Sequence, residues 1–272
     1  MEGEVKVSVI MGVYRPNRPE RFFQAVQSII QQSLPEWELL LYDDGSGGEY
    51  REIFHRAAAM DSRIRLLGEE NNRGLAHALN ICIRQSTGRY IARMDDDDIS
   101  GPERLEKQAA FLDTHPQFQW VGSNAELIDG EGVWGYQKMP YIPCRKDFLF
   151  NSPYIHPTVM FRREILENSG GYCESKKILQ CEDYELFMRL HKNGGQGCNL
   201  QAALVQYWED YESVKKRTYR RRIREMKVRR QGFKQLGILD RNTFYYVLKP
   251  LVVGAVPAPV HHYIRRKFKR RR

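Results

Sequence analysis

Four consecutive aspartates, Asp95 to Asp98, follow an apolar run in the stretch ARMDDDDIS. Adjacent carboxylates repel one another, so in a confined site they ionise together only where a cation offsets their charge. Carboxylate oxygens without cysteine or histidine partners are the donor set that Mg²⁺ and Mn²⁺ prefer. The residues alone leave two interpretations open: a divalent-metal site, or a solvated acidic turn in which Asp98 helps the next helix to begin.

The spacing of the four aspartates divides them into two groups. Side chains of a strand alternate between its two faces, so Asp95 and Asp97 point one way and Asp96 the other if the strand continues. An Asp-x-Asp pair can then reach one ligand. Because Mg²⁺ usually binds one or two protein carboxylates together with substrate phosphates, this pair suits a phosphorylated substrate.

Two more acidic pairs stand at the edges of regular segments. Asp43 and Asp44 end the apolar run of LLLYDDGS, and Glu182 and Asp183 open the helical stretch CEDYELFMRLHKNG. The first pair would also suit an Asx-type turn. The second would also complement the positive end of a helix dipole.

The elements that position these acids alternate between strand and helix. The run VKVSVIMGVY (5–14) is typical of a buried strand, and the helical, strand and helical patterns that follow it predict parallel βαβ units. We therefore expect an α/β fold with a Rossmann-like, mostly parallel sheet flanked by helices. Ligands of such sheets bind at the carboxyl ends of the strands, where the aspartate clusters stand. Ser100 and Glu103 predict a capping box for the next helix.

The composition favours a cytosolic protein. The chain has 272 residues, of which 42% are hydrophobic, a value too low for a polytopic membrane protein. Half of its first six residues are charged, and they show no signal-peptide pattern. Five cysteines without a CxxC spacing indicate reduced thiols rather than disulfides or a zinc site.

Charge is distributed unevenly along the chain. Residues 215–272 contain 20 Lys and Arg against 2 Asp and Glu, a net charge of +18, whereas residues 1–214 carry a net charge of −9. The stretch 244–264 is apolar and aromatic but is interrupted by Lys249, Pro250 and further prolines, so it makes a poor transmembrane helix. We expect a basic, partly apolar helical extension that associates with an anionic membrane surface. The alternative is a tail folded on the acidic body; nucleic acid is not expected, since no recognition motif is present.

Six stretches, in order, resemble the family-2 glycosyltransferases, inverting enzymes with the glycosyltransferase-A nucleotide-diphospho-sugar-binding fold. They are VSVIMGVYR, LLYDDGS, NRGLAHALN, ARMDDDDIS, HPTVMFRR and CEDYELFMRL, and the resemblance covers roughly residues 5–215. It implies a catalytic domain at 1–214 and an extension at 215–272. It also implies a metal-dependent transfer of a hexosyl-type sugar from a nucleotide donor, with a UDP-sugar expected, to an acceptor hydroxyl.

The resemblance also implies a donor site. Val13 and Tyr14 would border the nucleobase, and Asp44, with Asp43, would accept a hydrogen bond from it. Asp95 would touch the ribose or the metal, and Asp97 would bind the Mn²⁺ or Mg²⁺ that bridges the phosphates.

Further positions of the same donor site leave alternatives open. Arg73 would lie near the base or phosphate, or be a surface arginine, and Asn80 would serve the site or packing. Asp96 fills the variable position of the motif. His156 would approach the donor sugar or the acceptor, or be structural.

The resemblance implies that Asp183 is the general base that removes the proton of the acceptor hydroxyl. Glu182 is the second candidate, or a residue that positions the acceptor.

Four positions, in two stretches, depart from the family pattern. Gly12 stands where proline is common, and Arg15 where asparagine is common. In YWEDYESVKKR, Trp208 replaces an arginine and Asp210 replaces a histidine that approaches the metal or diphosphate. Asp210 is therefore expected either to contact the metal or to lie outside the ligand set.

The expected setting is the cytoplasm, on the inner face of the membrane. There the enzyme would act on a saccharide or lipid-linked saccharide in cell-surface polysaccharide or glycolipid assembly. The competing hypothesis is a non-catalytic nucleotide- or nucleic-acid-binding protein that retains the fold. Donor hydrolysis or transfer distinguishes the two.

Overall fold

A computed structural model describes residues 4–215 and 218–269 of the chain. Its strands, in order, are β1 Val7–Val13, β2 Trp37–Asp44, β3 Ile64–Glu69, β4 Tyr90–Arg93, β5 Ile99–Ser100, β6 Trp120–Asp129, β7 Gly132–Gln137, β8 Met160–Arg162 and β9 Gly197–Trp208. The helices are α1 Pro19–Ile30, α2 Arg51–Ala58, α3 Leu75–Gln85, α4 Arg104–Thr114, α5 Arg163–Ser169, α6 Glu182–Lys192, α7 Tyr211–Lys215, α8 Tyr219–Leu236, α9 Phe244–Ala255 and α10 Ala258–Lys269.

The strands of the described residues form one sheet in the order β3-β2-β1-β4-β8-β6-β9-β5, with β7 paired to β6. The half from β3 to β4 is parallel, as the alternation of strands and helices predicts. Beyond β4 the sheet is mixed, because β8 runs antiparallel to both β4 and β6, while β6 and β9 are parallel. The predicted α/β class is confirmed, and its parallel part carries the ends of β1, β2 and β4.

Both faces of the sheet are covered. Successive residues of β1 point to opposite faces: Ile10 joins a core with α3, α6 and α8, whereas Val9 and Met11 join a core with α1, α2 and α4. Strands buried on both faces contain continuous apolar runs, which explains the composition of VSVIMGV. At Gly12 an added Cβ would lie 2.9 Å from the Cβ of Ala78 in α3, so the close approach of strand and helix accounts for glycine there.

The predicted capping box at the start of α4 is wrong. Ser100 lies in β5, and Glu103, at the N-cap, makes no side-chain capping bond. The buried side chain of Gln32 caps the helix instead: its Oε1 accepts from the backbone N–H of Leu105 at 3.0 Å, while its Nε2 donates to the Ser100 hydroxyl at 3.1 Å. A residue distant in sequence therefore takes the role that a local motif predicts.

Helix α8 packs on the body of the protein. Val228 and Phe233 belong to the same core as α6. Arg229 is buried and donates to the carbonyls of Leu149 and Phe150, at 3.0 and 3.2 Å. These contacts correspond to the alternative expectation, a basic segment folded on the body.

Helix α10 reaches the body through ion pairs. Arg265 pairs with Glu209, and Arg266 pairs with Asp129 and lies over the ring of Trp134. Within residues 4–215 and 218–269, no helix has both the length and the apolar character that a membrane crossing requires.

Candidate active site

A cavity of about 480 Å³ opens beside the carboxyl end of β4. Its walls come from α3, the segment 151–157, the first turn of α6, and α8. Several predicted site residues line it together with residues of the C-terminal helices: Asp95, His156, Glu182, Asp183, Arg221 and Arg222. The cavity therefore joins the aspartate motif to the predicted base.

The four aspartates stand in a turn rather than in a strand. Strand β4 ends at Arg93, so the expected alternation of Asp95, Asp96 and Asp97 along a strand is wrong. The expectation that Asp98 helps the next helix to begin is also wrong. Its buried carboxylate accepts from the backbone N–H of Trp208 at 2.7 Å, and this bond ties the motif to the end of β9.

Three arginines donate to this turn or to the strand end that precedes it. Arg93 is fully buried and pairs with Asp95. Arg104, also fully buried, donates to the carbonyl of Arg93 at 2.7 Å, and its burial lowers the guanidinium pKa to about 9. Arg21 donates to the carbonyl of Asp97 at 2.8 Å. The sequence reasoning missed all three, although an arginine inside the apolar run of RYIARMD was a usable signal.

The surroundings of Asp97 disfavour its ionised form. Burial, and then the neighbouring carboxylates of Asp96 and Asp95, raise its pKa to about 7. A hard-oxygen donor set in which the carboxylates disfavour each other's ionisation fits a divalent cation. Within the described ranges, no group of three or more His, Cys, Asp or Glu side chains is arranged to hold a metal. The residues present fit a cation bound by one or two carboxylates and completed by phosphate oxygens.

Glu182 and Asp183 form the first turn of α6, as predicted. Burial raises the pKa of Asp183, while the backbone N–H of Tyr184 and the charge of Arg221 oppose that rise. Burial also raises the pKa of Glu182, whose carboxylate accepts from the N–H of Gln180 at 2.8 Å. A carboxylate with a raised pKa in a cavity is suited to proton abstraction.

His156 lies in the same cavity as a neutral ring. Its Nε2 is 2.7 Å from the hydroxyl of Tyr172, and burial lowers its pKa well below the ordinary value. Asn80 holds Tyr172 in place through two 2.8 Å bonds to that residue's backbone carbonyl and N–H. The packing alternative for Asn80 matches these contacts.

The two acids at the end of β2 have different surroundings. The buried carboxylate of Asp44 accepts from Asn72 Nδ2 and from the backbone N–H groups of Arg73 and Gly74, at 2.8–2.9 Å. Asp43 accepts from the N–H of Ser46 at 2.9 Å, the contact of an Asx-type turn, and lines a second cavity of about 550 Å³.

The remaining predicted donor residues lie at strand ends or on the surface. Val13, at the end of β1, is buried, while the next residue, Tyr14, is 45% exposed. The Arg73 side chain is exposed and lies 3.6 Å from Glu69. Arg73 thus matches its surface alternative.

Asp210 forms an ion pair with Arg18 at 2.6 Å. Arg18 and Arg21 both stack on the ring of Trp208, with guanidinium carbons 4.8 and 4.0 Å from the ring centroid. Through Arg18 and Arg21, Trp208 and Asp210 therefore hold the start of α1 next to the aspartate turn. The metal contact of Asp210 stays a prediction.

The chain is similar in sequence to known proteins. Residues 8–170 match the family model described as Glycosyl transferase family 2. EpsE of Bacillus subtilis (strain 168), assigned as a glycosyltransferase, is 37% identical over 261 residues, which cover 96% of this chain and 93% of EpsE. The amylovoran biosynthesis glycosyltransferase AmsE of Erwinia amylovora is 27% identical over 268 residues, which cover 97% of this chain and 99% of AmsE.

Solved structures share the fold. The TM-score is 0.65, at 21% identity, with Staphylococcus aureus TarS 1-349 in complex with UDP, covering 96% of this chain and 79% of that one. The mannosyltransferase PcManGT from Pyrobaculum calidifontis, in complex with GDP-Man and Mn²⁺, gives a TM-score of 0.62 at 18% identity. That match covers 98% of this chain and 81% of the PcManGT chain. The chain belongs to glycosyltransferase family 2, and the predicted family, fold and inverting sugar transfer from a nucleotide donor are confirmed.

Proposed function

We propose that this glycosyltransferase is metal-dependent and builds a cell-surface polysaccharide or glycolipid from a nucleotide-diphospho-sugar. The observation that carries the proposal is the shared cavity of Asp95 and Asp183, which sets the donor motif beside a carboxylate whose pKa burial raises. The names of relatives support the setting, since AmsE is named for amylovoran biosynthesis.

Each of the site residues has a separate role in the proposed reaction. Asp183 takes the proton of the acceptor hydroxyl as that oxygen attacks the anomeric carbon. Glu182 orients the acceptor, and the neutral His156 offers a hydrogen bond without adding charge. Asp97 and Asp95 would hold the divalent cation, which when bound neutralises charge on the departing nucleoside diphosphate.

The proposed donor is a UDP-sugar bound at the ends of β1 and β2. The exposed ring of Tyr14 is available to stack on a base, and the Asp43 carboxylate lines an open cavity. Because Asp44 is occupied by the loop 72–74, Asp43 is the better placed hydrogen-bond acceptor for the base. Complexes of TarS with UDP and UDP-GlcNAc, and of PcManGT with GDP-Man and Mn²⁺, support a nucleotide donor and a metal.

The proposed location is the cytoplasmic face of an anionic membrane. Exposed apolar residues recur along α9 and α10, namely Phe244, Tyr245, Leu248, Val252, Val260, Tyr263, Ile264 and Phe268. Lysines and arginines accompany them, and apolar faces flanked by basic residues suit the interface of a bilayer. A lipid-linked saccharide would meet the enzyme at that surface.

A screen of nucleotide sugars tests the proposal. The protein is incubated with each nucleotide sugar, with Mn²⁺, Mg²⁺ or excess chelator, and release of the nucleoside diphosphate is measured. We expect metal-dependent release of the nucleoside diphosphate from one class of nucleotide sugar, and we expect that class to be the UDP-sugars. Nucleotide binding without turnover of any nucleotide sugar, with or without membrane extract as acceptor source, would instead favour the non-catalytic hypothesis.

A further inference from the structure

The C-terminal helices contribute a basic wall to the active-site cavity. Arg221, Arg222 and Arg229 of α8 line it, as does Arg265 of α10. Arg229 and Arg265 are already engaged, with Glu225 and Glu209 respectively. Arg222 also contacts Glu225, but only through one terminal nitrogen, so Arg221 and Arg222 are the arginines of this wall with donors left to offer.

Neither of these two arginines is fully satisfied by the protein. The half-buried Arg221 side chain makes no hydrogen bond or ion pair with the residues that the structure describes, although its charge acts on Asp183 and Glu182. Arg222 contacts Glu225 at 3.3 Å through one terminal nitrogen. Its Nε is buried and lacks a hydrogen-bond partner within residues 4–215 and 218–269. A buried donor without a partner needs an explanation, and an acceptor from a bound ligand is one.

The position of the wall points to the acceptor rather than the donor. Asp95 lines the donor side of the cavity, and Asp183 faces the acceptor hydroxyl in the proposed reaction. Arg221 belongs to the C-terminal segment that also carries the exposed apolar faces of α9 and α10. A lipid-linked saccharide carries its phosphate between the lipid and the sugar. If its lipid lies on the apolar face and its sugar hydroxyl at Asp183, that phosphate comes near Arg221.

We propose that Arg221, with Arg222, forms an anion subsite that binds the phosphate of a lipid-linked acceptor and so sets its sugar hydroxyl against Asp183. Guanidinium groups match phosphate oxygens in geometry and charge. This role rests on the proposed sugar transfer, and it adds the recognition of a phosphate ester by the C-terminal helices. Arg221 acts as a specificity residue and takes no part in proton transfer.

A binding experiment tests the subsite directly. Geranyl phosphate is titrated into the full chain with saturating UDP and Mg²⁺, and the dissociation constant is measured by calorimetry. We expect Arg221→Gln to weaken geranyl phosphate at least about tenfold, since one charge-assisted hydrogen bond is lost. Arg220→Gln removes the same charge from an exposed neighbour in the same turn and should leave affinity unchanged.

Titrations of geraniol and of inorganic phosphate identify the source of the phosphate that the subsite binds. Geraniol should not bind measurably, and inorganic phosphate should bind more weakly than geranyl phosphate. Inorganic phosphate that binds as tightly as geranyl phosphate would assign the subsite to free phosphate and overturn the acceptor role.

The variants decide whether Arg221 serves the acceptor. Equal affinity of wild type and Arg221→Gln for geranyl phosphate would overturn the proposal, as would loss of UDP affinity in that variant. Failure of the proposed function is seen separately, as nucleotide binding without turnover in the nucleotide-sugar screen, because the geranyl phosphate titration does not depend on turnover.

Discussion

At the scale of single residues, the aspartate motif is a set of carboxylates with different partners. Asp95 is paired with the buried Arg93, and Asp98 is bonded to the backbone of β9. Asp97 is left with a pKa raised to about 7 by burial and by its neighbours. Burial and neighbouring carboxylates therefore disfavour ionisation of Asp97, and a divalent cation bound there would offset that penalty.

Asp97→Asn should abolish metal-dependent donor binding. The substitution removes the negative charge that would attract the cation while keeping the size of the side chain. Asp96→Ala, at the variable position of the motif, should retain that binding. Titration of the nucleotide with and without Mn²⁺, followed by calorimetry, checks both variants, and equal loss of binding in the two would refute this division of roles.

The pH dependence of the reaction should report the buried base. Asp183 acts as base in its ionised form, so kcat/KM should rise with pH. Because burial raises its pKa, the midpoint should lie above the ordinary aspartate value of about 3.9. In the Glu182→Gln variant, kcat/KM should still rise with pH over the acidic limb but should reach a lower plateau. Its disappearance in that variant would identify Glu182 as the base instead.

At the scale of elements, the site depends on contacts between segments that are distant in sequence. Gln32 follows α1, yet its side chain bonds to Ser28, Ser100 and Gly101 and caps α4. The aspartate turn lies between β4 and β5, and β5 continues into the capped helix. The position of the turn therefore depends on this glutamine.

Gln32→Ala should lower the free energy of unfolding by about 2 kcal/mol, because several buried hydrogen-bonding groups lose a partner. Gln31→Ala, at the exposed neighbouring position, should change it by less than about 0.5 kcal/mol. Urea unfolding followed by circular dichroism measures both. Equal stability of the two variants would show that the Gln32 bonds do not hold the turn.

Much of the fold followed from local patterns, whereas the surroundings of the site did not. Alternating apolar runs predicted the parallel half of the sheet, and the acids of CEDYELFMRL predicted the start of α6. The end of β4 at Arg93 was missed because aspartates after a strand do not reveal where its pairing stops. Arg104 and Arg221 were missed because only tertiary packing brings them to the motif and the cavity.

At the scale of the whole molecule, the basic extension has two faces. One packs on the body through Val228, Phe233 and Arg229, and the other leaves apolar side chains exposed, with Tyr263 at 67% and Phe268 at 74%. The same helices close one wall of the active-site cavity. An enzyme held by that face would present its cavity near the bilayer surface.

The protein should float with vesicles that contain phosphatidylglycerol and not with pure phosphatidylcholine vesicles, since each basic residue near an anionic surface contributes about 1 kcal/mol. Replacing both Tyr263 and Phe268 by serine should reduce flotation at least about tenfold, because two exposed aromatic side chains lose their contact with lipid. Ile142→Ser removes an exposed apolar residue outside the C-terminal helices and should leave flotation unchanged. Flotation of the double variant at the wild-type level would contradict the proposed membrane face.

The most direct test of the central claim is the effect of Asp183→Asn on release of nucleoside diphosphate from the donor that the screen identifies. We predict a loss of turnover of at least about a hundredfold, the usual range for a general base, with nucleotide affinity unchanged. Glu164→Gln, at an exposed position of α5 outside the cavity, should keep full turnover. Turnover of Asp183→Asn at the wild-type rate would contradict the claim that this cavity is the catalytic centre.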